Sequence, residues 1–345
     1  MRRIRWAAFS GVVLLLSAAC TAAESPVPTT SVAPATSVAS AAPSYAPASV
    51  VIGVDAFGGA VPVYAAQQQG FFADYGLTVR IDTYSVGLDT LNAALAGTAD
   101  FGWAFDYGSL GAMSADQLRY VATLSRNQPG FHKLALAADV AGPMDLAGKR
   151  LGIVTGTQQH YVTLAYLDKL GIARDEVELV PFGAVLEIVA GLRTDQIDAA
   201  WVFGQGVEEA QKVEGVTIVA DDGEVLTGGR GFLIATRKIV QEQPDVVERV
   251  LRALVDAEIW VAANDADFAV TAAFIADELK APVEGVLANL ASTEVTVSFD
   301  QSDLDTLERF AAFRTELTPD KPLDVDTYLA LDSLRAVDPA RVGIP

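Results

Sequence analysis

From Val50 onward, short apolar runs alternate with stretches in which apolar residues recur every three or four positions. The first pattern reads as buried strands, the second as helices with one apolar stripe. Strands are expected at residues 49–54, 77–82, 100–105, 120–124, 132–137, 150–154, 177–180, 199–203, 216–219 and 231–236. Helices are expected between them at 62–71, 88–96, 160–170 and 186–192. That alternation predicts an α/β fold with largely parallel sheets. Beyond Arg237 the strand pattern stops. Residues 244–263, 267–279, 283–290 and 302–315 read as helices, the first opening on Pro244.

Two segments echo each other. NAALAGTADFGWAF (92–105) and VAGLRTDQIDAAWVF (189–203) each run from a helix end through a turn and an aspartate into a strand closing on aromatics. This fits two similar lobes, each presenting aromatic side chains at a strand's carboxyl end, where open α/β sheets bind ligands. Trp103 and Phe105 share one strand face, as do Trp201 and Phe203. Trp103, Tyr107 and Phe203 are expected to stack on a partly apolar guest; Phe105 and Trp201 divide between that role and the core. Asp106 reads as an exposed loop carboxylate, with acceptance from a ligand amine as the alternative.

The stretch GKRLGIVTGTQQHYVTLAYLDKLG (148–171) carries the sharpest local signal. A strand breaks at Thr155-Gly156-Thr157 and opens a helix, which points free backbone N–H groups at one spot. Thr157, Gln158, His160 and Tyr161 add hydroxyl, amide, imidazole and phenol groups within one turn. No phosphate-loop lysine follows, so a small polar ligand suits the turn better than a nucleotide. Phe57, Gly58 and Gly59 form a second glycine turn before the helix at Pro62 and are expected to aim their own donors at the same cleft. Asp55, ending the first strand, is either a ligand acceptor or a turn residue. Arg126 with Asn127, and Arg230, are the polar groups expected near a hinge to clamp an anion.

The 345 residues include 24 Lys and Arg against 44 Asp and Glu, a formal charge of −20. Nucleic acid is excluded as a partner on that balance, and an anionic ligand must be held locally against the overall field. With two histidines, one cysteine and no HExxH, CxxC or GxSxG, no metal site, cofactor or catalytic constellation is expected, and the chain does not read as an enzyme. Arg2, Arg3 and Arg5 precede an apolar run too short to span a bilayer comfortably, so residues 1–19 read as a processing signal. Removing those three arginines takes the charge from −20 to −23. Cys20 resembles the lipidated cysteine of a bacterial lipoprotein; cleavage by an ordinary signal peptidase after Ala19 is the alternative. Residues 20–47, rich in Ser, Thr, Ala and Pro, read as a disordered tether. The expected protein is a monomer anchored through Cys20 at the outer face of the cytoplasmic membrane.

Five motifs then appear in order: QGFFADYGL (69–77), LAGTADFG (95–102), DLAGKRLG (145–152), QIDA (196–199) and PDVV (244–247). Together they resemble the substrate-binding lipoproteins of ABC importers in the nitrate, sulfonate, taurine and thiamine-precursor group. The resemblance implies a two-lobed periplasmic-binding fold of the second topological type, with two crossover hinge strands and a helical C-terminal part. Lobe 1 would comprise 48–134 and 235–345, and lobe 2 would comprise 135–234. It also implies an ABC permease and its ATPase as partners and a small organic solute as ligand. In WVFGQGVE (201–208), Gln205 and Gly204 stand where pyrimidine-binding members carry a glutamate and a tryptophan. A sulfonate- or taurine-like anion or a neutral heterocycle therefore fits better than a basic thiamine precursor. A lyase or synthase on the same fold is the alternative of another class; the related pyrimidine-precursor synthases need a cysteine-rich loop that this chain lacks.

Overall fold

The structure is a computed structural model that describes residues 45–319 and 322–345. The expected signal, Cys20 and nearly all of the tether lie outside the described residues. β1 (Ala48–Asp55) leads through α1 (Val61–Gln69) and the single turn α2 (Phe71–Asp74) to β2 (Leu77–Tyr84). There follow α3 (Gly87–Leu95), β3 (Phe101–Phe105), α4 (Asp106–Met113) and β4 (Leu118–Asn127). A second series runs β5 (His132–Leu136), β6 (Arg150–Ile153), α5 (Gln158–Leu170), β7 (Glu178–Pro181), α6 (Val185–Arg193), β8 (Ala199–Phe203), α7 (Gln205–Gln211) and β9 (Thr217–Asp221). The chain returns through β10 (Gly229–Thr236), α8 (Arg237–Glu242), α9 (Pro244–Asn264), α10 (Ala269–Leu279), α11 (Val283–Leu290), β11 (Thr293–Ser298), α12 (Gln301–Leu317) and α13 (Asp332–Val337).

The strands build two sheets, in the orders β11-β4-β10-β3-β1-β2 and β7-β6-β8-β5-β9. Each sheet anchors one lobe of the two-lobed α/β fold. The chain passes between them twice, between Asn127 and His132 and again between Asp221 and Gly229, a few residues ahead of the expected crossings.

Both sheets are mixed, not largely parallel. β1 pairs in parallel with β2 and β3, while β10 and β4 run antiparallel to their neighbours. In the second sheet β6 pairs in parallel with β7 and β8, and β5 runs antiparallel to β8 and β9. The antiparallel strands are those flanking the two crossings, where the chain changes sheets instead of returning through a helix. A strand also exists beyond Arg237: β11 pairs with β4 at the sheet edge. α4, in the glycine-bearing DYGSLGAM, forms against low propensity because seven of its eight residues are buried.

The sequence echo has a physical basis. Asp100 accepts the Val51 N–H at 2.9 Å, and Asp198 accepts the Arg150 N–H at 2.7 Å. In each lobe, an aspartate ahead of a central strand takes an amide of the neighbouring parallel strand, within β1 in the first lobe and at the start of β6 in the second. Behind these strands Trp103 and Trp201 are fully buried.

Candidate functional site

Between the two sheets lies a cavity of about 50 Å³ lined by residues of both. From the first lobe come Asp55, Phe57, Val86, Gly87, Leu88, Ala104, Phe105 and Gly108; from the second come His132, Thr157, Gln158, Gln159 and Phe203, with Phe131 on the crossing between them. Its volume holds only a few water-sized groups, so the cavity fits a small head group. Most of its wall is carbon. Phe203 packs against Phe57 at 5.2 Å and Phe131 at 5.7 Å between ring centroids, and Phe105 against Phe131 at 6.0 Å.

Two helices begin at this cavity. α3 starts at Gly87 and α5 at Gln158. Among the described residues, the amides of Gly87 and Leu88 in one and Gln158 and Gln159 in the other find no protein acceptor. Unpaired first-turn amides, with the helix dipole behind them, favour an anion. Gly87 is obligatory by space: a Cβ there would sit 2.9 Å from the Ala104 backbone and 3.1 Å from the Trp103 carbonyl.

Three buried titratable groups surround these amides. Burial pushes the Asp55 carboxyl up to about 7, against the amides of Phe57, Gly58 and Gly59 that point at it. Burial likewise raises Asp106 to about 6, opposed by the Tyr107 and Arg230 amides and by Gln158. Its carboxylate takes Tyr107 N–H, Gln158 Nε2 and Arg230 N–H, each at 2.8 Å, and so ties α4 to α5 across the lobes. His132 gives Nδ1 to Asp222 Oδ2 at 2.7 Å. Burial alone would raise Asp222, but hydrogen bonds and charge from His132, with the amides of His132 and Gly130, hold it below its ordinary value. Nδ1 is thereby committed to Asp222, and His132 is part of the cavity wall.

Of the residues expected in the site, the structure brings Asp55, Phe57, Thr157, Gln158 and Phe203 to the cavity. The amides of Gly58 and Gly59 do not face it; they turn onto Asp55, which folds back over its own turn. Gly59 is small for another reason, since a Cβ would lie 2.6 Å from the Trp103 ring. Trp103 is core and Tyr107 packs with Tyr161 at 5.3 Å and Phe310 at 5.8 Å, so neither lines the cavity. Phe105, one residue pair further along the same strand face as Trp103, reaches the cavity instead. Tyr161 stands against Phe310 and Phe313 on α12, at 4.7 and 4.8 Å. His160 accepts the Gly156 amide at 3.2 Å on Nδ1. Thr155 and Gly156 open onto a neighbouring hollow, and Gln205 onto a third one near Asn289. Asp106 is fully buried, not an exposed loop carboxylate.

The expected arginine clamps are committed elsewhere. Arg126 grips Asp303 with Nε at 3.1 Å and Nη2 at 2.7 Å, and reaches Asp300 at 2.9 Å. Arg230 Nε contacts the same Asp303 at 3.2 Å without hydrogen-bond geometry. Asn127 Nδ2 donates to Thr293 at 2.8 Å. The groups this cavity could offer an anion are therefore helix amides, not guanidinium groups. His132, Asp222, Phe131 and Gln159 escaped the sequence reading. His132 meets its partner across 90 residues, and no local pattern signals that.

Two lobes of mixed α/β sheet with a small cavity between them and helix N-termini turned into it define a periplasmic-binding-protein fold. Residues 59–267, more than half of the chain, match the family described as NMT1/THI5 like, and the chain belongs to that family. It is 27% identical over 212 residues to the taurine-binding periplasmic protein of Escherichia coli K12, covering 59% of this chain and 64% of that one. The chain spans less than two thirds of the length of the curated relatives it matches. Among solved structures it is similar to the alkanesulfonate-binding protein SsuA from Xanthomonas axonopodis pv. citri bound to MOPS, with 21% identity, a TM-score of 0.68 and coverage of 82% and 99%. It is similar as well to the desulfurization enzyme DSZB, with 17% identity, a TM-score of 0.62 and coverage of 84% and 98%. Among the described residues no helix is long and apolar enough to cross a membrane, and no acidic, histidine or cysteine cluster could hold a metal.

Proposed function

We propose that the protein captures a small sulfonate-type anion between its lobes and delivers it to an ABC importer. The observation that carries this reading is the convergence of the α3 and α5 first turns on one cavity, with the Gly87, Leu88, Gln158 and Gln159 amides unpaired. A sulfonate offers three acceptor oxygens to such amides and keeps its charge at any working pH. The phenylalanine wall suits a short carbon tail. The names of the taurine- and alkanesulfonate-binding relatives point the same way.

In this reading each sheet with its helices is one lobe, and the segments 128–131 and 222–228 are the hinge. The Asp106–Gln158 bond and the Tyr161 contacts with α12 belong to the ligand-bound arrangement, whose population the solute raises. Lipidation of Cys20 would hold the protein beside its permease and ATPase at the outer face of the membrane. Calorimetric titration with taurine and with alkanesulfonates of two to four carbons tests the reading; dissociation constants above the millimolar range for all of them would overturn it.

Asp55 and His132 favour a second reading. Two buried acceptors among phenyl rings suit a heterocycle bearing N–H donors, such as a 4-aminopyrimidine. The same titrations with that compound decide between the two. Recovery of unaltered ligand after hours of incubation separates binding from a lyase or synthase activity.

A further inference from the structure

Beside the cavity, and sharing Leu88 and Gly108 with it, lies a second hollow of about 360 Å³. Its walls are α3 (Asn92, Leu95), α4 (Gly111, Ala112) with the turn that follows it (Ser114, Ala115), the Thr155–Gly156 turn and Arg314 of α12. No acidic side chain lines it. Arg314 pairs with no carboxylate among the described residues, and its guanidinium carbon lies 5.1 Å from the Tyr107 ring centre. Gly111 leaves it room, since a Cβ there would lie 2.9 Å from Nη2. Nearby, the His160 imidazole is held below its ordinary value by burial and then by the charges of Arg314 and Arg174. Arg174 is already neutralised by Asp168 at 2.5 Å. In a chain of net charge −20, an arginine in a concave site with a suppressed histidine beside it is a local positive field with no counter-ion among the described residues.

We infer that this hollow is a second anion subsite of the same ligand path, with Arg314 as the specificity residue for a sulfonate whose tail ends in a carboxylate or a second sulfonate. The inference rests on the reading above, in which the first anionic group occupies the helix amides. The shared Leu88 and Gly108 walls then carry the methylene chain out of the small cavity into the larger one. The planar guanidinium can take a terminal carboxylate through two parallel N–H donors.

Calorimetry on the purified protein tests this with plain alkanesulfonates of two to four carbons and their ω-carboxylated counterparts. At one chain length at least, the carboxylated compound should bind tenfold or more tightly. Arg314→Gln should erase that gap while leaving the plain sulfonate within about twofold of the parent, which also shows that the variant is folded. NMR titration gives an independent readout: the carboxylated ligand raises the His160 pKa relative to the plain one. Equal binding of both ligand types at every length, or a gap that survives Arg314→Gln, overturns the second subsite alone. Binding of neither type to the parent overturns the sulfonate reading, and the inference with it.

Discussion

Asp55 gives the cavity a measurable thermodynamic signature. Its carboxyl is 2% exposed and burial moves its pKa from 3.8 to about 7. The unfolded chain keeps an ordinary aspartate near 4. Between those two values the folded state binds the extra proton, so stability is fully present below about 4 and falls as pH rises through about 7. Three units correspond to about 4 kcal/mol at most, of which about 2–3 kcal/mol is lost between pH 5 and 8. Asp106 and other carboxyls titrate too, so the clean quantity is a difference. In Asp55→Asn the titrating group is gone while its shape remains. Urea denaturation of ligand-free parent and variant at pH 5, 6, 7 and 8 measures it. The stability of Asp55→Asn minus that of the parent should rise from pH 5 to 7 and level off towards pH 8, by up to those about 2–3 kcal/mol in all. A flat difference would show that Asp55 titrates normally in the folded protein and that the cavity is not the dry environment described.

Three further outcomes are expected. Gly87→Ala drives a methyl into the β3 backbone and displaces the α3 amides; it should cost about 1–3 kcal/mol of stability and weaken sulfonate binding, both read by thermal melts and calorimetry. Phe203→Ala removes the ring shared by Phe57, Phe131 and His132; about 3–5 kcal/mol of stability should be lost, with weaker binding of tailed sulfonates. Gln158→Leu deletes the Nε2 donor to buried Asp106; leaving that carboxylate short of a partner should cost about 1–3 kcal/mol above pH 6, and less below it, where Asp106 is protonated.

Much of the architecture was legible because its cause is periodicity. Strand positions through β10 and the helices α1, α3, α5 and α6 follow the apolar runs, while α4 and α7 were not expected; the glycine turn at Thr155–Thr157 does open a helix at the cavity. What failed depended on depth and distance. Alternation placed Trp103 and Phe105 on one face but could not say which residue of the pair reaches the strand's open end; Phe105 does, because Gly59 and Gly231 close over the indole of Trp103. The Phe57–Gly59 turn was read correctly as a turn but not as one whose amides bend back onto Asp55. β11 was hidden in a helical context, since its reason to exist is the free edge of β4. The arginines near the crossings looked like ligand clamps because their partner, Asp303, lies 177 residues beyond Arg126.

That last partner has a mechanical consequence. Arg126 and Arg230 are paired across β4 and β10, at the root of the outgoing and the returning crossing. One fully buried carboxylate on α12 holds both. The two connections therefore cannot shift independently at their base. In the proposed binding cycle, lobe movement would then be carried by the few residues beyond those arginines, with the two crossings kept in step at one shared anchor on α12.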